Sequence, residues 1–499
     1  MAQVTSVPKR VTVVGQGPIW WSNAIFFVSM HVLALVGATY LSPWHQLRTQ
    51  TLWRVRAELC IISWQLATFG ITIGYHRLWS HRSFTAAFPL RVVLAGMGCL
   101  GFQGSIKWWV LRHRLHHRFT DTESDPYNAK QGLYHSHMGW IFRKPTYPRI
   151  SLIDKKDLDG DPVVRFQHKY YIPLTLFLSL VMPTLIGWTW GDAMGGYIWG
   201  GVIARIMIQH ATFCINSLAH YLGDQAYSED VTARGNFVLA LFTGGEANHN
   251  YHHAFPRDYR NGPRVFDWDP SKWIIWGLHF FTPWVPKMHQ TPEAEILRAK
   301  AHVLAVRAEK VAKGKDDAEE EEEESSSFKV WGSFAELESD EDRGSSTSFE
   351  GVTSSASRSV SGSSSASGTS TDWGEDEILS DRRAGIFSAQ SLTTTRRRYL
   401  GRSTPLPKWT RAQLVDKLVD PRVFPSSSRT PIVIVVNGFA VDVTRYAQDH
   451  PGGYAVLKEF ALGKGKEERD ATEAFEGGLN DHAWSAREKM KDLTIARIV

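Results

Sequence analysis

The run His113-Arg-Leu-His116-His117 decides how this chain is read: its i, i+3, i+4 spacing places all three imidazoles on one face of a helix. The same spacing returns in His249-Asn-Tyr-His252-His253. A third pair, His76 and His81, closes the stretch Gly74-Tyr-His-Arg-Leu-Trp-Ser-His81. Five residues of α-helix would aim His76 and His81 roughly 140° apart, so they are expected to straddle the point where a helix gives way to a loop. Neutral imidazole is the commonest protein metal ligand. Eight histidines in three clusters exceed what one mononuclear site can use, so a pair of metal ions is expected. Asn216 and His220, spaced i, i+4, extend the set to nine histidines and one amide.

Working outward, the clusters flank long apolar segments. Ile19–Leu41 and Tyr171–Trp190 are uncharged, Ala57–Tyr75 carries only Glu58 at its edge, and Met194–Ala219 contains only Arg205 and His210. Each approaches or exceeds the ~20 apolar residues that a helix needs to cross a bilayer. The short connections Ser42–Arg56 and Gly191–Ala193 join the segments into two hairpins. All the histidine clusters then share one side. The Lys/Arg excess between Arg77 and Lys156 marks that side as cytosolic, with Arg48, Arg54 and Arg56 opposing from the other. Trp20, Trp21, Trp44, Trp188 and Trp190 suit an interfacial aromatic belt. Arg205 is expensive in lipid and is expected to face protein or water. Leu90–Phe102 and Phe237–Phe242 are too short to span and read as interfacial or buried segments. The first apolar run is too long for a signal-peptide core and lacks a small-residue cleavage site, so it reads as uncleaved.

The formal net charge of +5 over 499 residues hides a basic stretch and an acidic one. Beside spanning segments, the basic stretch suits anionic headgroups or a phosphorylated substrate better than nucleic acid. Cys60, Cys99 and Cys214 lie in or beside apolar segments without paired spacing, which argues against a disulfide framework. From Trp268 to Val311 the pattern is amphipathic and helical. Beyond it, the run Glu319–Glu324 and the Ser-rich tract Ser361–Ser370 mark a solvated linker. Roughly 90 such residues reach on the order of 50 Å. The expected organisation is a cytosolic tail (1–18), a membrane domain (19–313), an acidic, Ser-rich linker (314–404) and a small α+β domain (405–499). The fold class is mainly α: four transmembrane helices under a cytosolic helical cap, plus that α+β domain.

In the last domain, Phe439-Ala-Val-Asp-Val-Thr-Arg-Tyr446 runs into His450-Pro-Gly-Gly453, and His482 follows in Asn480-Asp-His-Ala-Trp484. With strand-like Ile432–Val436 before them, these residues resemble cytochrome b5, and His450 and His482 match its two axial haem ligands. Bis-histidine ligation leaves no open position, so such a haem moves electrons and does not bind oxygen. Imidazole suits zinc, copper, iron and nickel alike. Zinc has no redox chemistry, so a tethered electron carrier favours iron at the histidine clusters.

The region from Ile19 to Trp284 resembles the acyl-CoA Δ9-desaturases through Gly74–His81, Trp108 to Asp125-Pro126, Asn216-Ser-Leu-Ala-His220 and Gly245-Glu-Ala-Asn-His-Asn-Tyr-His-His253. Its fusion to a cytochrome b5 domain is similar to the fungal stearoyl-CoA desaturases. The resemblance implies a di-iron centre held by His76, His81, His113, His116, His117, His220, His249, His252 and His253, with Asn216 acting through a water. It also implies that Gln103, Trp109 and Thr212 shape a bent acyl tunnel, and that Arg143 and Lys144 meet the CoA phosphates. The implied reaction places a cis double bond between C9 and C10 of a saturated fatty acyl-CoA such as stearoyl- or palmitoyl-CoA. It uses O2 and NADH-derived electrons, passed by an NADH-cytochrome b5 reductase to the haem b. The implied setting is the endoplasmic reticulum membrane, with active site and both termini cytosolic and no nucleic-acid partner. Gly104, Leu111 and Arg112 depart from the Asn, Arg and Asp of animal members, so headgroup contacts must differ. A membrane fatty-acid hydroxylase competes within enzymes, although the Gly74–His81 context and the Asn216/His220 pair argue against it. An electron-transfer protein with structural zinc competes from another class.

Overall fold

The computed structural model describes residues 17–40, 50–312, 406–418, 431–447, 450, 454–462, 470–476, 482 and 484–499. The expected linker and most of the expected N-terminal tail lie outside these residues. Four helices are long and apolar enough to cross a membrane: Trp21–Tyr40, Val55–Ser80, Tyr171–Trp188 and Ala193–Tyr221. They follow the four apolar segments closely, because a bilayer offers no partner for backbone N–H and C=O groups except those within a helix. The first span turns Ile25, Val28, Val32 and Leu35 outward and buries only Gly37, which abuts Ile198 of the fourth span. The second and fourth spans are far more buried and form the centre of the bundle.

Close approach makes that centre rigid. A Cβ on Gly70 would overlap the backbone of Met97 and Gly98, so the second span and helix Phe88–Leu100 meet backbone to backbone. At the end away from the histidines, Arg56 makes two bonds to Asp192, at 2.5 and 3.0 Å. One of the three arginines that opposed the expected orientation is therefore neutralised by the turn between the third and fourth spans. Arg205 is 2% exposed, with its guanidinium over Phe102 at 4.9 Å and Phe26 at 5.7 Å. It faces protein, as its cost in lipid requires.

The second span ends as expected between the two histidines, with His76 in the helix and His81 in the turn that follows it. Its last eleven residues, Gly70–Ser80, are π-helical, and the His81 N–H donates to the His76 carbonyl at 3.1 Å. A wider helix brings residues five apart onto one side, so the His76 and His81 rings lie 4.8 Å apart rather than diverging. Helices Ile106–Phe119, Leu133–His137, Pro162–Lys169, Phe237–Thr243, His249–Ala254, Pro270–Phe281 and Glu293–Ala312 form the cap. The two short apolar segments correspond to Phe88–Leu100 and Phe237–Thr243, and the latter leaves Phe237, Val238 and Leu241 exposed.

The C-terminal domain is built on a sheet in the order Lys408–Trp409, Thr494–Ile498, Phe439–Asp442, Val433–Val436, with its first pairing parallel and the others antiparallel. Asn437 and Gly438, at φ 51° and 72°, make the two-residue turn that suits the twist of a hairpin. Period-2 alternation lets strand Val433–Val436 serve two cores. Ile434 and Val436 face a cluster with Val441, Leu457 and Phe475, while Val433 and Val435 pack on Leu414 and Leu462.

Candidate metal centre and haem pocket

Ser105 starts the helix Ile106–Phe119 by accepting a bond from the Trp108 N–H at 3.3 Å. Ile106, Val110 and Leu115 anchor that helix in the protein interior, which leaves its histidine face turned toward the other clusters. The nine histidines converge. His76, His81, His113, His117 and His252 form one group and His116, His220, His249 and His253 another, with the potential ligand atoms of each group within 4.8 Å of one another. Helices Ile106–Phe119 and His249–Ala254 each serve both groups.

Nearest Nε2 atoms are 2.8 Å apart for His81 and His113, and 3.0 Å for His76–His252, His252–His117 and His249–His253. Metal–imidazole bonds of about 2.0–2.1 Å at right angles put neighbouring nitrogens about 3 Å apart. Proton accounting points the same way. The Nδ1–H of His116 donates to Asp125 at 2.8 Å, and that of His220 donates to Thr232, whose hydroxyl donates to Asp121. His76 Nδ1 lies 2.8 Å from Glu246 Oε2. With the proton held on Nδ1, these rings present Nε2 lone pairs, as metal-bound histidines do. Lone pairs 3 Å apart repel unless a cation lies between them, so the donor set fits two metal ions.

Burial first, and the neighbouring imidazoles second, push His81, His113, His117, His249, His252 and His253 well below the ordinary histidine pKa. They stay neutral and able to ligate. For His116, burial works in the same direction but Asp125 outweighs it and raises the ring.

Several residues that the spacing argument passed over hold the cage in place. Arg77, 1% exposed, donates twice to Asp269 at 2.8 and 3.0 Å, and to Glu246 at 2.8 and 3.2 Å. Burial disfavours the Glu246 carboxylate, but Arg77 and then His76 bring its pKa down to about 2. Asn261 donates its amide to the other Glu246 oxygen. Asp125 is fixed by the backbone N–H groups of Asp121 and Tyr127, both at 2.9 Å. An arginine between two histidines at the end of an apolar run was the available signal, since a charge there needs buried partners.

Asn216 ends its helix, and Ser217 breaks the path at φ −118° and ψ −82° before the turn Leu218–Tyr221 carries His220. Gln103, Trp109 and Thr212 meet: the Gln103 amide donates to Thr212 Oγ1 at 2.9 Å and accepts from Trp109 Nε1 at 3.4 Å. Trp109 stacks on His113 at 4.8 Å, which sets this polar cluster against the cage. Phe102, next to Gln103, and Arg82, next to His81, both hold φ 52°. Such strain in bulky residues gathers at functional sites. Arg143 and Lys144 are exposed and joined to the chain ahead of the first span, through Gly17 and Pro18.

In the C-terminal domain a cavity is lined by Ile434, Val436, Val441, Val443, Leu457 and Phe475, with His450 and His482 on its wall. The two rings are 6.2 Å apart and inclined by 32°. Two imidazoles bonded to one metal at about 2 Å each need nitrogens about 4 Å apart, and that ring spacing provides it. His482 donates Nδ1–H to the Phe475 carbonyl at 2.9 Å, which leaves Nε2 for the metal. An apolar slot with two opposed imidazoles fits a haem.

Residues 53–268 match the fatty acid desaturase family, and residues 423–499 match the cytochrome b5-like haem/steroid binding domain. Over 274 residues the chain is 35% identical to stearoyl-CoA desaturase 5 of Homo sapiens, covering 54% of this chain and 81% of the human protein. The chain belongs to the acyl-CoA desaturase family. It is also 44% identical over 262 residues to the probable acyl-CoA desaturase of Schizosaccharomyces pombe, covering 52% of this chain and 53% of that one. Identity to acyl-CoA desaturase 1 of Saccharomyces cerevisiae is 34% over 430 residues, 86% of this chain and 65% of the relative. The chain thus spans 53% and 65% of the length of these two fungal desaturases. The longer alignment cannot lie within the desaturase region alone, so the likeness extends into the haem domain. The chain is a multi-pass membrane protein, with four candidate spans.

Proposed function

We propose that the chain is an acyl-CoA Δ9-desaturase that inserts a cis double bond between C9 and C10 of stearoyl- or palmitoyl-CoA. The observation that carries this reading is the nine-imidazole cage, split five and four, beside the cluster of Gln103, Trp109 and Thr212. Two irons bound there would supply the oxidant that unactivated C–H bonds require, with two electrons, two protons and one O2 consumed per double bond and two waters formed. The chain's own groups bind and orient. Gln103, Trp109 and Thr212 fix the bend of the acyl chain, so the reacting carbons are chosen by position rather than by reactivity. Asn216 would act on one of the irons through a water. Arg143 and Lys144, exposed at the cytosolic rim, meet CoA phosphates as point charges.

His450 and His482 hold the haem b that receives electrons from an NADH-cytochrome b5 reductase. The organisation proposed is 1–18 tail, 19–313 membrane domain, 314–404 linker and 405–499 haem domain, in the endoplasmic reticulum membrane with both termini cytosolic. The test is the fatty-acid profile of a desaturase-deficient host expressing this chain or its His116→Ala variant. Palmitoleate and oleate should appear with the first and not the second. Identical profiles would sink the proposal, a hydroxylated product would make the chain a hydroxylase, and another double-bond position would correct the regiochemistry.

A further inference from the structure

Among the described residues that line the haem cavity, all but one belong to the C-terminal domain. The exception is Arg118, which follows His117 directly on helix Ile106–Phe119. Its guanidinium is steadied by a bond from Nη1 to the Leu152 carbonyl at 2.6 Å. Lys489 also lines the cavity, and among the described lining residues these two are the only Lys or Arg side chains and none is Asp or Glu. A largely apolar slot with two cations in its lining suits a group whose body is apolar and whose edge carries carboxylates. A haem with its two propionates is such a group.

Two ion pairs tie the domains together at the same place. Lys489 Nζ lies 2.7 Å from Glu295, and Arg298 lies 3.4 Å from Asp492. Both pairs step by three residues along helices Glu293–Ala312 and Trp484–Leu493, so the helices run side by side in the same direction. The polarity alternates: the haem domain supplies the cation in the first pair and the anion in the second. Sliding either helix by one turn would set like charges against each other, so the pairs select one register. Each pair is partly exposed and individually weak; their value is in orientation.

We propose that this face is the docking surface for the chain's own haem domain, with Arg118 and Lys489 as positioning residues that receive the haem propionates. The inference rests on the haem and dimetal reading above and adds the geometry of delivery. Arg118 and His117 are adjacent residues, about 3.8 Å apart at Cα. Docking in this register therefore turns the haem edge toward the helix that ligates both metal groups. The electron leaving a ferrous haem crosses at that helix, and the linker serves to hold the domain within reach.

The test uses the full-length, haem- and iron-loaded protein in detergent. Zero-length carbodiimide cross-linking should join Lys489 to Glu295 within one chain. Arg298→Asp and Asp492→Arg should each slow oxidation of the reduced haem in the presence of acyl-CoA and O2, by about tenfold at low salt, and the double variant should restore it. Arg118→Gln should keep full haem content, lower the haem midpoint potential by removing a cation beside the propionates, and slow haem oxidation without changing iron content. Cross-links that map elsewhere, with a charge swap that restores nothing, would overturn the docking. An unaltered chain that forms no unsaturated product while giving the Lys489–Glu295 cross-link would instead refute the proposed reaction and leave the docking standing.

Discussion

Changing Glu246 to Gln should loosen one metal and spare the other. The Glu246 side chain is 2% exposed, so its partners have no water to turn to. One oxygen accepts from Arg77 at 2.8 and 3.2 Å, while the other serves His76 Nδ1 at 2.8 Å and Asn261. A glutamine of the same shape has one oxygen, so its NH2 must point at Arg77 or at the His76–Asn261 side, donor against donor. Asp269 still holds Arg77 with two bonds, which makes the His76 side the one to suffer. Losing an oriented acceptor behind a metal-bound imidazole costs about 10- to 100-fold in metal affinity, or about 1.4–2.7 kcal/mol. His76 belongs to the five-histidine group. Titrating purified protein with a chelator, and counting iron by mass spectrometry with haem absorbance as internal control, should show one iron released early and one late. Asp125→Asn, behind His116 of the four-histidine group, should release the other ion first. Equal loss of both irons in either variant, or wild-type retention in both, would refute the assignment of each carboxylate to its own metal.

Acid should destabilise the membrane domain in two stages of the same sign. The six histidines held below 6.5 take up protons first in the unfolded chain, so their stabilisation is complete above about pH 6.5 and lost as pH falls. Glu246, lowered from 4.5 to about 2, adds on the order of 3 kcal/mol above pH 4.5 that fades towards pH 2. A melting temperature that rises on acidification from about pH 7.5 to about pH 5 would contradict this. Gly70→Ala forces a methyl into the backbone of Gly98 and should cost ~1–3 kcal/mol, read as a lower melting temperature in detergent with the haem spectrum unchanged. Gln103→Leu removes the partner of Thr212 and Trp109 and should cut turnover by about 10- to 100-fold, with iron and haem contents intact. Unchanged turnover and an unchanged product would mean that this cluster does not position the acyl chain.

Much of the architecture was legible before any coordinates. Uncharged runs near twenty residues leave little choice but to span, and the structure's four spans start and end within a few residues of those read from hydropathy. The two i, i+3, i+4 histidine triplets became helices, and His450 and His482 face each other across a cavity, as their setting implied. What the sequence did not carry was local geometry. His76 and His81 straddle the helix end as expected, but nothing in their spacing announces that Gly70–Ser80 winds as a π-helix. Residues such as Arg77, Glu246, Asp125 and Asp269 carry no periodic signature, because their meaning comes from partners far away in the chain.

The histidine clusters, four segments long and apolar enough to span and the cytochrome b5-like region were legible in the sequence, since each depends on short-range spacing or composition. The division of nine histidines into five and four was not. Helix Ile106–Phe119 gives His113 and His117 to one group and His116 to the other, and helix His249–Ala254 is split in the same way. A helix fixes which side chains share a face. Which group each of them joins depends on how four chain segments cross, and that is set by packing such as Gly70 on Gly98 and by the buried Arg77 network.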